Sequence, residues 1–83
     1  MESNDSLKLD NQVTVTIFGP DGTSLYQTSG TGFHNIESAI RQSLAKAELH
    51  ANPEDCVFEV SNDTTGVSHR YRINAHGHLK LIV

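Results

Sequence analysis

The chain is predicted to be an α+β domain in which one helix packs on one face of a five-stranded, mainly antiparallel sheet. Three observations lead there. Five short segments alternate apolar and polar residues with the period of two that a half-buried strand needs. One segment instead carries Ile36, Ile40, Leu44 and Ala47 at helical spacing. Glycine-bearing turns join the strands as a pair before the helix and a trio after it. Turns this short make neighbouring strands antiparallel, so the order is ββαβββ.

The elements follow in chain order. Residues 1–11 are polar and are expected to form a flexible tail, leaving 12–83 as a single domain. In the first strand, Val13, Val15 and Ile17 alternate with Thr14, Thr16 and Phe18. Pro20, Asp21 and Gly22 then suit a three-residue hairpin loop with a Gly bulge. Closing on residues 20–22 sets Ile17 opposite Leu25 and Thr16 opposite Tyr26 in the second strand. Asn35 is the expected helix N-cap, and Glu37 favours the positive end of the helix dipole. Ala39 and Leu49 widen the apolar stripe, and the helix should end before Asn52-Pro53.

The last three strands can be set in register by requiring apolar residues to face apolar ones. A loop over 63–66 pairs Val60 with His69, Phe58 with Tyr71 and Cys56 with Ile73. A loop over 75–77 pairs Ile73 with Leu79, Tyr71 with Leu81 and His69 with Val83. On the opposite face Glu59 meets Arg70 as a cross-strand ion pair. The final strand is the most apolar and is therefore expected beside the first, in the strand order 2-1-5-4-3. A β-grasp-like arrangement is the alternative.

Composition narrows the function classes. The net charge of −4 disfavours a protein that grips nucleic-acid phosphates. The single cysteine excludes an internal disulfide and is expected to be a small, inert core residue. With no apolar run following a basic N-terminal segment and none longer than 81–83, a cytoplasmic protein without membrane contact is expected. Five histidines make surface charge sensitive between pH 5 and 7. His76-Gly77-His78 with His69 has a spacing that a metal could use, but the register puts His69 and His78 on opposite faces. Gly30-Thr31-Gly32 lacks the further glycine of a dinucleotide loop and the Gly-Lys-Ser/Thr of a phosphate loop. No catalytic residue, metal site or cofactor is expected.

The remaining surface is the sheet face that a single helix leaves open. Its expected binding residues are Phe18, Tyr26, Val57, Arg70, Arg72, Lys80 and Ile82. The apolar members would anchor a partner and the arginines would rim it. The expected function is a small non-catalytic protein-interaction or homodimerisation module. Single-stranded nucleic-acid or anionic-ligand binding on the same face is the alternative, with bases stacking on Phe18 and Tyr26. A small metal protein or enzyme is the third and disfavoured class.

Overall fold

A computed structural model describes residues 11–49 and 51–82. The expected tail, but for Asn11, lies outside the described residues, as does the pairing of His69 with Val83. The elements are β1 (Val13–Phe18), β2 (Ser24–Gly30), α1 (Ile36–Lys46), β3 (Val57–Asn62), β4 (Ser68–Ile73) and β5 (Leu79–Ile82), with a 3-10 turn at Pro53–Asp55. They form one five-stranded sheet in which every neighbouring pair is antiparallel. The α+β class and the single helix are as the sequence predicts.

The strand order is β2-β1-β3-β4-β5, so β3, not β5, lies beside β1. This corrects the order 2-1-5-4-3, and the β-grasp-like alternative is not adopted. Strand length and the placement of apolar residues explain the choice. A central strand must be hydrogen-bonded along both edges. β3 has six residues and matches all six of β1, from Val13 opposite Asn62 to Phe18 opposite Val57. Its helix-facing residues Phe58, Val60 and Asn62 are fully buried. β5 has only four residues, and its apolar side chains are split between the faces: Leu81 lies opposite Tyr71 and Ile82 opposite Arg70. High total apolarity therefore did not make it central.

The core lies between α1 and the middle of the sheet. Val13, Val15, Ile17, Phe58 and Val60 meet Ala39 and Ile40, and all are fully buried. Asn35 caps the helix, its Oδ1 accepting from the Ser38 N–H at 2.7 Å. The helix ends at Lys46, where Ala47 turns extended. Asn52 then opens the 3-10 turn by accepting from the Glu54 N–H through its side chain.

Gly22 takes the positive φ that its hairpin requires, and the Gly22 N–H donates to the Gly19 carbonyl. The loop over 20–22 is thus as expected, and Phe18 lies opposite Ser24. A β-bulge follows at once. Beyond it Ile17 pairs with Tyr26 and Thr16 with Gln27, one residue off the expected register. Leu25 is the extra residue. Because side chains alternate, the bulge moves Tyr26 and Thr28 to the helix-covered face and puts Gln27 and Ser29 on the open one. The exposure pattern along β2 agrees: Tyr26 and Thr28 are half-buried, Gln27 and Ser29 exposed. The expected pairings Val60–His69, Phe58–Tyr71, Tyr71–Leu81 and Ile73–Leu79 are found; Cys56 is not paired with Ile73, because it closes the 3-10 turn before β3 begins at Val57.

Candidate functional site

The open face is built in rows that cross the sheet. One row runs Gln27, Thr16, Glu59, Arg70, Ile82. Gln27 donates to Thr16 Oγ1 at 3.0 Å, and Arg70 Nε donates to Glu59 Oε2 at 3.3 Å. The expected Glu59–Arg70 pair is therefore present. The Arg70 guanidinium also lies over the Phe18 ring, 5.6 Å from its centroid. The neighbouring row carries Ser24, Phe18 and Val57. In β4 and β5 Arg72 lies directly opposite Lys80.

Phe18, Val57, Arg70 and Arg72 share one shallow depression with Pro20 and Asp55 at its rim. Its volume is about 220 Å³. Pockets for drug-sized ligands run from about 300 to 1,000 Å³, so this one suits a side chain better than a cofactor. Lys80 and Ile82 lie beside it on β5. Tyr26 does not join: the bulge at Leu25 puts it on the other face, opposite Ile17.

The electrostatics of the face are uneven. The chain has six lysines and arginines against ten acidic residues, yet Arg70, Arg72 and Lys80 gather on two adjacent strands of one face. Glu59 neutralises Arg70. Among the described residues, Arg72 and Lys80 have neither a hydrogen-bond nor an ion-pair partner. Two cations directly opposite one another repel, so the pair costs the isolated fold a little stability.

The edge beside this patch is defined by the last hairpin. The Asn74 N–H donates to the His78 carbonyl at 3.0 Å. Bonded and non-bonded pairs alternate along an antiparallel ladder, so Arg72–Lys80 and Arg70–Ile82 are the bonded pairs. Leu79 and Leu81 therefore turn their N–H and C=O groups outward. α1 packs mainly over β1 and β3, and Leu81 is 45% exposed on the helix side.

Other candidates resolve differently. Cys56 is fully buried, and its thiol donates to the Asn52 carbonyl at 3.5 Å. Burial first, and Asp55 second, push its pKa up, which favours the unreactive thiol. Burial likewise raises the pKa of Tyr71. The His76 and His78 rings lie 6.3 Å apart, and among the described residues no three His, Cys, Asp or Glu side chains are grouped to hold a metal ion. Gly30 has a packing role: a Cβ there would sit 2.9 Å from the Phe33 ring. Sequence reasoning passed over Asn62. Its buried side chain accepts from the Thr64 and Thr65 N–H groups at 2.8 and 3.0 Å and shapes the loop between β3 and β4. An asparagine four residues before the glycine that ends a loop is the signal that would have found it. No family model, curated protein or solved structure matches the chain.

Proposed function

We propose that the protein is a small, non-catalytic interaction module that engages a protein partner through the open face of its sheet. The observation that supports this reading is the unneutralised Arg72–Lys80 pair beside the Phe18–Val57 depression. An apolar floor with a cationic rim suits a protein surface carrying an apolar side chain next to a carboxylate. Covalent chemistry would require paired acid–base groups in a deeper cleft.

Affinity capture with the wild-type chain and with Phe18→Ser and Arg72→Glu tests the reading, provided each captured protein is then titrated in purified form. A partner that binds the wild type and loses at least tenfold in affinity with both variants supports it. Equal binding by both variants moves the interface off this face. Homodimerisation through the same face is read by light scattering across a concentration range, where Phe18→Ser and Ile82→Ser would return a dimer to monomer.

The Arg70–Phe18 stack and the Arg72–Lys80 pair also favour a second reading, binding of a single-stranded nucleic acid. Tyr26 on the opposite face removes one of the two expected stacking platforms, which weakens it. A fluorescent oligonucleotide with no anisotropy change at low salt eliminates it.

A further inference from the structure

The cationic patch and the outward-facing backbone of β5 adjoin, and together they specify a partner more narrowly than the open face does alone. We infer that β5 accepts an added strand from a partner segment that alternates acidic and apolar residues. The inference rests on the open face being the interaction surface and extends that surface to the sheet edge.

Three features converge on it. Leu79 and Leu81 present unpaired N–H and C=O groups at the edge, the main-chain complement of an incoming strand. On the open side of β5, Lys80 faces Arg72, and both lack a partner among the described residues. On the helix side, Leu81 is 45% exposed. A strand laid along β5 shows alternate side chains to these two sides. On the open side it would meet Lys80, backed by Arg72, and then Ile82, backed by Arg70; on the helix side it would meet leucine, so the matching segment sets an acidic residue opposite Lys80 between apolar helix-side residues.

The charges also decide against a second copy as the occupant. Two β5 strands paired antiparallel would bring Arg72 and Lys80 of both copies onto one face, and among the described residues none of these cations is paired with a carboxylate. Lysine on an edge strand is a known guard against such self-pairing. An acidic strand turns the same lysine into a contact.

The probe is an eight-residue peptide alternating Glu and Val, followed through the backbone amide resonances of the protein. Controls are the same peptide with Lys in place of Glu, and two forms backbone N-methylated on alternate residues. The expected result is that the Glu/Val peptide shifts the resonances of Leu79 to Ile82 and of Arg72. Lys80→Glu, at an exposed position that leaves the fold intact, should weaken binding at least tenfold. N-methylation of one alternate set should abolish binding, and of the other set leave it. Equal binding of the Lys/Val peptide overturns the inference, as does indifference to both N-methylated forms, or no shift at millimolar peptide. Shifts confined to Phe18 and Val57 would sink strand addition while leaving the open-face reading standing. Free protein that dimerises through β5 would name a second copy as the occupant and overturn it as well.

Discussion

Truncating one residue in β3 and one in β5 should give very different losses of stability. Val60 on β3 is fully buried between Val15 and His69, its neighbours on the adjoining strands. Val60→Ala removes two buried carbons, about 1.6 kcal/mol at ~0.8 kcal/mol each. The cavity left in a close-packed core raises the total to about 2–3 kcal/mol. Leu81→Ala removes three carbons from a side chain already 45% exposed at a sheet edge, where little cavity can form. Its cost should be about 1 kcal/mol. Urea unfolding followed by far-UV circular dichroism separates the two. With a slope of about 1 kcal/mol per molar, the midpoint should fall by about 2–3 M for Val60→Ala and about 1 M for Leu81→Ala. A domain of this length has roughly 4–12 kcal/mol of stability, so both losses can be measured. A larger loss from Leu81→Ala would refute the reasoning, because it would put β5 in the centre of the sheet.

Three further outcomes are expected. Gly30→Ala should destabilise the domain by about 1–3 kcal/mol, since its Cβ would press on the Phe33 ring, and Phe33→Leu in the same chain should recover part of the loss in chemical denaturation. Lys80→Glu should raise stability by about 0.2–1 kcal/mol at low salt by giving Arg72 an opposite charge, with the gain shrinking as salt is added. Stability should also fall at alkaline pH. Burial raises the pKa values of Cys56 and Tyr71, so the folded chain keeps protons that the unfolded chain gives up. Each contribution is whole below that group's unfolded value and is lost as pH climbs from there through the raised folded value. A Cys56→Ala variant should show a shallower alkaline decline in thermal midpoint.

Local features were the most legible in the sequence. Gly22, Gly66 and Gly77 each take a positive φ near the end of a hairpin loop, and Asn35 caps the helix. These follow from chemistry confined to a few residues. The β3–β4–β5 registers were also legible, because one face had to be apolar across all three strands. The order of strands was less so. β3 and β5 are the two ends of one meander, and either end could in principle lie against β1. The decision rests on matched length and clean alternation, and total apolarity pointed the wrong way. The bulge at Leu25 left no sequence signal, since SLYQTSG alternates poorly in either register. Its consequence for the candidate site is direct: Tyr26 belongs to the core side, and the face that remains is carried by Phe18, Val57, Arg70 and Arg72, with Lys80 and Ile82 beside them. The Arg70–Phe18 stack joins residues 52 positions apart, and only the β1–β3–β4 adjacency brings them together.

Amide hydrogen exchange resolved by residue tests the central claim most directly, namely that β3 is interior and β5 is an edge with its backbone free on one side. The expected result is slow exchange throughout Phe58 to Ser61, and in β5 a slow Lys80 amide between fast Leu79 and Leu81 amides. Slow exchange at both Leu79 and Leu81, with fast amides at alternate positions of β3, would contradict it and would remove the edge on which an added strand depends.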